Sequence, residues 1–117
     1  MKVFLDDVRA PIDCIPWMHD AIYLEEWVVV RNYEDFQGAI LEAYVNDEEI
    51  THISFDHDLG EDTDGKYNRE AIDGYECAKW FEDYYSVHNM EHPVILVHSL
   101  NPVGAERIKR VFFNEEY

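Results

Sequence analysis

The chain has 117 residues, 26 acidic and 9 basic, with a formal net charge of −17 and 47% apolar residues. That length suffices for one domain with one core and falls short of two, and the apolar fraction separates it from disordered chains. The charge repels nucleic-acid phosphates at long range, and no apolar run approaches the ~20 residues that span a bilayer, so neither duplex DNA nor a membrane is an expected partner. Met1-Lys2-Val3-Phe4-Leu5 runs directly into an acidic pair. A signal peptide needs a longer apolar stretch and a small-residue cleavage site, so the expected compartment is the cytoplasm. Cys14 and Cys77 stand in no paired or metal-ligand spacing and read as reduced, partly buried thiols.

Lys2 to Leu5 reads as the first strand and ends at Asp6-Asp7. The segment from Ala10 to Glu25 is broken by Pro11 and Pro16, so it reads as an irregular crossover. Trp27 to Val30, a valine run, is the second strand. A helix follows from an N-cap at Asn32 to about Val45, with Phe36, Ile40 and Tyr44 on one face. Ile50 to Phe55 is the third strand, ending at Asp56-His57-Asp58. The loop from Leu59 to Ile72 is long, polar and glycine-containing, either a lid or simply mobile. Its Asp62, Asp64 and Gly65 do not make a calcium loop, because Gly60 and Ala71 then occupy the first and twelfth positions. A second helix begins near Asp73, with Glu76 placed for a capping box and Cys77, Phe81 and Tyr84 as its inner stripe. Pro93 to Val97 is the fourth strand and ends at His98-Ser99. Asn101-Pro102 opens a third helix with Ala105, Ile108 and Phe112 on one face. Continuous apolar strands alternating with helices imply a small parallel α/β sheet with right-handed crossovers, buried on both faces.

Ligands bind such sheets at the carboxyl ends of the strands. Asp6, Asp7 and Asp56 are hard oxygen donors that suit Mg²⁺ or Mn²⁺, or else carboxylates that cap turns. His57 and His98, each following an apolar strand, form a candidate general acid and base that face one phosphate, with Asp58 beside them. Arg9 is a candidate phosphate clamp, and a salt bridge to Asp7 or Asp58 is compatible with that role. Ser99, Asn101 and the helix opening at Pro102 offer donors to an anion, although Asn101 is equally well placed as an N-cap. His19, His52, His88 and His92 have no such setting and read as surface residues.

An acidic pair after the first strand, an Asp after the third and a Ser after the fourth resemble the two-component receiver fold. Leu5-Asp6-Asp7-Val8-Arg9, Ser54-Phe55-Asp56-His57-Asp58-Leu59-Gly60 and His98-Ser99-Leu100-Asn101-Pro102 resemble more closely the cyclic-phosphate processing receiver-like domains, found in phage and bacteria. The resemblance implies a flavodoxin-like parallel sheet and an acidic pocket of Asp6, Asp7 and Asp56. It makes His57, Asp58, His98 and Arg9 the additions that replace signalling with hydrolysis. Ordinary receivers add a fifth strand carrying a Lys. The sequence ends soon after the third helix, so the expected sheet is truncated to about four strands without that Lys, and phosphorelay signalling is not expected.

The leading expectation is therefore a metal-assisted phosphoesterase acting on small cyclic phosphates or RNA 2′,3′-cyclic-phosphate ends. The alternative is a non-catalytic acidic protein, a nucleic-acid mimic or a degenerate receiver, that binds a basic protein partner through Glu25-Glu26, Asp47-Glu48-Glu49 and Glu115-Glu116. An exposed edge strand would also permit oligomerisation.

Overall fold

The computed structural model describes residues 1–60 and 72–113. Its strands are β1 (Lys2–Leu5), β2 (Val28–Val30), β3 (His52–Phe55) and β4 (Val94–Val97), and its helices are α1 (Ile15–Met18), α2 (Tyr33–Val45), α3 (Gly74–Val87) and α4 (Pro102–Phe112). The strands form one parallel sheet in the order β2-β1-β3-β4. This is the receiver-like α/β architecture expected from the sequence, with four strands among the described residues.

The three long helices start where capping chemistry places them. Asn32, Asp73 and Asn101 each accept a hydrogen bond from the backbone N–H three residues on. The capping box at Asp73 is only half made, because the Glu76 side chain pairs with Lys79 Nζ at 3.1 Å. β1 starts at Lys2 as expected, and the other three strands start one or two residues later than expected. Trp27 stays outside β2 because its indole N–H donates to Ile22 O and its ring stacks on Tyr23, which ties it to the crossover. Pro93 has no N–H to give, and β4 begins one residue later.

Strand alternation divides the core into two layers. Val3, Leu5, Val30, Ile53 and Phe55 pack with Phe36, Ile40 and Ala43 of α2, Cys77, Phe81 and Tyr85 of α3, and Ile108 of α4. We call this the helical face. On the opposite, crossover face, Phe4 packs with Cys14, Tyr23, Trp17, Trp27 and Leu96. The crossover consists of 3-10 turns at Pro11–Cys14 and Ala21–Leu24 around the short α1, as its prolines require. Two helix stripes shift from the expected registers. Ala43 replaces Tyr44, which is exposed, and Tyr85 replaces the half-buried Tyr84 as the inner residue. The outer strands are less covered than a sheet buried on both faces implies, since Val28 and Val94 are exposed at its two edges. Cys14 and Cys77 are free and buried. No helix among the described residues is long and apolar enough to cross a membrane. Most of the candidate lid, residues 61–71, lies outside the described residues.

Candidate functional site

Register and parity together build the site. Leu5, Phe55 and Val97 are aligned across β1, β3 and β4, and Val30 sits opposite Leu5 on β2. The hydrogen-bonded ladder runs one residue further: Asp6 N–H donates to Val30 O (3.1 Å), Asp56 N–H to Leu5 O (2.9 Å) and His98 N–H to Phe55 O (3.0 Å). Asp6, Asp56 and His98 therefore form the next row, and alternation turns them to the side of Phe4, Ser54 and Leu96. All three are buried, and one potential ligand atom of each lies within 4.8 Å of the others, a cluster able to hold a metal ion.

Asp6 is fully buried and well supplied with donors. Its Oδ1 accepts from the N–H groups of Val8 (2.9 Å) and Arg9 (2.8 Å), and its Oδ2 accepts from Arg9 Nη1 (3.3 Å) and His98 Nε2 (3.0 Å). Burial pushes this carboxyl up, but the His98, Arg9 and Val8 donors outweigh it and hold the group well below the usual carboxylate range. Asp56 has less support. Its Oδ1 accepts from the His57 N–H, and Arg9 Nη1 stands 3.9 Å from its Oδ2. Burial, followed by the charge of Asp6, pushes Asp56 up to about 7. The fold thus sustains one full negative charge at this row and resists the second. That is the condition under which a divalent cation binds favourably to paired carboxylates. Asp7 is half-buried and reaches the same cleft.

The two candidate histidines do not share this cleft, contrary to expectation. His98 is one residue past β4, whereas His57 is two residues past β3, so the matched partner of His98 is Asp56. A shift of one residue turns a side chain to the other face. His98 accordingly lies on the crossover face, fully buried, stacked on Phe4 with ring centroids 4.4 Å apart. His57 lies toward the helices, with its ring against Gly104 of α4, its Nδ1 3.0 Å from Asp58 Oδ1 and its Nε2 3.6 Å from Asp73 Oδ2. Burial pushes the His98 imidazole below its ordinary value, against the pull of Asp6.

Six other candidates line one cleft. Asp7, Arg9, Asp56, Asp58, Ser99 and Asn101 line a cleft of about 340 Å³. Asp58 Oδ2 accepts from Asn101 Nδ2 at 3.3 Å, and Ser99 Oγ accepts from the Asn101 N–H at 3.1 Å. Asn101 is the N-cap of α4, its Oδ1 accepting from the Gly104 N–H. A larger groove of about 480 Å³ between α3 and α4 shares no residue with this cleft. Of the remaining histidines, His19, His88 and His92 are exposed, while His52 is half-buried beside Trp27.

Several residues that shape the site carried no sequence signal strong enough to single them out. Arg31, opposite Asp6 on the β2 side, donates to the carbonyls of Asp6 (3.2 Å) and Arg9 (2.7 Å) and pins the loop after β1. Gly74 and Gly104 let α3 and α4 approach the end of β3: a Cβ on Gly74 would lie 1.7 Å from Asp56 O, and one on Gly104 would lie 2.3 Å from His57 Cγ. Tyr23 and Ser54 join His98 through buried hydrogen bonds. A serine inside an apolar strand was the available clue to Ser54, whereas nothing local distinguishes Tyr23 within the irregular crossover.

No curated protein and no solved structure matches the chain. The family model described as the cyclic-phosphate processing receiver domain matches residues 1–114. With a four-stranded receiver-like sheet and an acidic row at its carboxyl edge, the chain belongs to the cyclic-phosphate processing receiver domain family.

Proposed function

We propose that this protein is a metal-assisted phosphoesterase that opens cyclic phosphates, with RNA 2′,3′-cyclic-phosphate ends as the substrate class. One observation carries the reading. Arg9 lies against two buried carboxylates, Asp6 and Asp56, at the wall of a cleft whose other side presents Ser99 and the start of α4. That juxtaposition suits a phosphate group bridged between a cation and an arginine.

In this reading Asp6, Asp7 and Asp56 would hold a divalent ion, which when bound would supply positive charge to the phosphoryl oxygens. Arg9 binds a non-bridging oxygen, and its seat 5.3 Å from the Trp17 ring restrains the guanidinium. Ser99 and the first turn of α4 orient the anion. Water attacks phosphorus, one ribose P–O bond breaks, and the ribose oxygen that leaves takes up a proton from solvent in the open cleft. Asp58, held by His57 Nδ1 and Asn101 Nδ2, faces the cleft and receives the proton of the attacking water. In this reading His98, fully buried behind Asp6, supports that carboxylate and takes no part in the proton transfer.

The test is cleavage of a short RNA ending in a 2′,3′-cyclic phosphate, with Mg²⁺ or Mn²⁺ and with chelator. Opening by the native protein, lost in Asp56→Asn and with chelator, is the expected result. No opening under either metal removes this substrate class. A second reading, docking of a basic protein, is favoured by a groove of about 620 Å³ at the opposite end of the sheet, rimmed by Asp47, Glu48, Glu49 and Glu91. Binding there weakens steeply with added salt, and salt-insensitive binding rules it out.

A further inference from the structure

A continuous hydrogen-bonded chain runs behind the site. The Tyr23 hydroxyl lies 2.7 Å from Ser54 Oγ, Ser54 Oγ lies 2.7 Å from His98 Nδ1, and His98 Nε2 lies 3.0 Å from Asp6 Oδ2. Each of these four residues is no more than 1% exposed. Water therefore does not compete for the chain, and every proton in it has a direction that the donor and acceptor inventory decides.

We propose that Tyr23, Ser54 and His98 are a buried positioning relay that fixes His98 with its proton on Nε2, making it a hydrogen-bond donor to Asp6 and not a metal ligand. The proposal rests on the reading of Asp6 and Asp56 as the cation-binding carboxylates.

The derivation starts at Asp6, whose carboxylate only accepts, so the hydrogen between it and His98 sits on Nε2. A nitrogen carrying that proton has no lone pair to offer a cation, although it lies within the reach of a metal cluster. In the neutral ring Nδ1 is then the acceptor. The Ser54 hydroxyl donates to it and spends its one hydrogen there. Ser54 Oγ is left as an acceptor, and the Tyr23 O–H donates to it. All hydrogens point the same way, toward Asp6, and each polar atom is satisfied. Ligation through Nε2 requires the opposite arrangement. The proton moves to Nδ1, Ser54 turns to donate to Tyr23, and the Tyr23 hydrogen has no acceptor among the described residues. Tyr23 is thus the residue that decides the direction. Two further contacts hold the imidazole in place. Phe4 stacks on it at an interplanar angle of 10°, and the Trp17 indole N–H donates to the His98 carbonyl at 2.9 Å. The relay leaves the oxygens of Asp6, Asp7 and Asp56 to take the ion. It resembles the outer-shell arrangement that orients metal-binding carboxylates in other sites.

Long-range ¹H–¹⁵N spectra of the imidazoles, with and without saturating Mg²⁺, test this directly. The expected wild-type spectrum has a protonated Nε2 and a bare Nδ1 for His98, and keeps that pattern when Mg²⁺ is added. Tyr23→Phe, with the fold checked by circular dichroism, is expected to populate the Nδ1-protonated form and to weaken Mg²⁺ binding about tenfold, in the range of outer-shell changes. Ser54→Ala provides a second variant, in which the same loss of a single tautomer is expected. A bare Nε2 in the ion-free wild type overturns the relay. Loss of the Nε2 proton on adding Mg²⁺ shows His98 to be a ligand and overturns it equally. Unchanged tautomer and unchanged Mg²⁺ affinity in both variants overturn the role of Tyr23 and Ser54. Absence of any Mg²⁺ response in the wild type overturns the cation site itself and with it the positioning role, and is distinguishable because the tautomer is read without ion.

Discussion

On the helical face, Val3, Leu5, Ile53 and Phe55 meet α2, α3 and α4 in a layer of aliphatic and aromatic side chains. On the crossover face the same strands present Phe4, Ser54 and Leu96 to a segment of 3-10 turns and one short helix. Regular helices satisfy their own backbone and can offer a purely apolar surface, so that face is a packing problem alone. The crossover brings a tyrosine hydroxyl and two indole N–H groups into the interior, each with a hydrogen-bond partner. Polar chemistry at the row of Asp6, Asp56 and His98 is thus backed by a polar layer, while the layer across the sheet supplies rigidity. Destabilising the two faces should therefore have different consequences. Damage on the helical face costs stability and spares the ion site, whereas damage on the crossover face alters the ion site as well.

The sharpest way to break this division is at the glycines where helices touch the loop after β3. The Cβ of Gly74→Ala meets the backbone carbonyl of Asp56, which cannot swing aside because its own residue ends the ladder. The expected cost is about 4 kcal/mol or more, at the upper limit of overpacking and a large share of a small domain's stability. The Cβ of Gly104→Ala meets only the His57 ring. A side chain can give way, and the expected cost is about 1–3 kcal/mol, accompanied by displacement of His57. Urea unfolding of the two variants measures the contrast. Equal costs would show that the Asp56 backbone is not the fixed point inferred here.

A second effect comes from Asp56 and changes sign with the ion. Its pKa in the folded protein is pushed up to about 7 by burial and by Asp6, above the ordinary value of 3.8. Between these values the folded state holds a proton that the unfolded chain has released. The stability associated with the protonated form is complete below about pH 4 and is lost as pH rises through about 7, at up to about 1.4 kcal/mol per pH unit and about 4 kcal/mol in all. Ion-free protein should therefore become less stable from pH 5 to pH 8. Asp56→Asn should flatten that slope, and Mg²⁺ should reverse it by stabilising the ionised group. Calorimetry in buffers of different ionisation enthalpy should detect a proton released when Mg²⁺ binds near pH 6.5. A flat stability profile in the ion-free native protein would place Asp56 in an ordinary carboxylate environment.

These effects indicate how far the sequence can be read. The β1 strand, the three capped helices and the gathering of acids at strand ends were legible because each is set locally, by a short apolar run, an Asn or Asp cap, or the residue that follows an apolar stretch. The parity of His57 and His98 was not. Parallel register depends on crossovers of some twenty residues or more, and a single residue of register decides whether His57 or Asp56 faces His98. Sequence reasoning paired the two histidines because both follow apolar strands, and the ladder from Phe55 to Val97 separates them. Tyr23 was illegible for a related reason. Its contact with Ser54 spans 31 residues and is fixed by an irregular segment with no periodicity.

Ile53 and Ser54 reduce the comparison to neighbouring residues of one strand, both fully buried and facing opposite layers. Ser54→Ala leaves the Tyr23 hydroxyl and His98 Nδ1 without a partner, at an expected cost of about 1–3 kcal/mol. Adding Tyr23→Phe removes one of those orphaned groups, so the double variant should be more stable than the sum of the two single costs implies. Ile53→Val removes one methylene from the apolar layer, at an expected cost of about 1 kcal/mol, with Mg²⁺ affinity and the His98 tautomer unchanged. The decisive comparison is therefore ion affinity at matched stability. If Ile53→Val weakens Mg²⁺ binding as much as Ser54→Ala does, the ion site responds to general loosening of the sheet, and the crossover face has no special hold on Asp6.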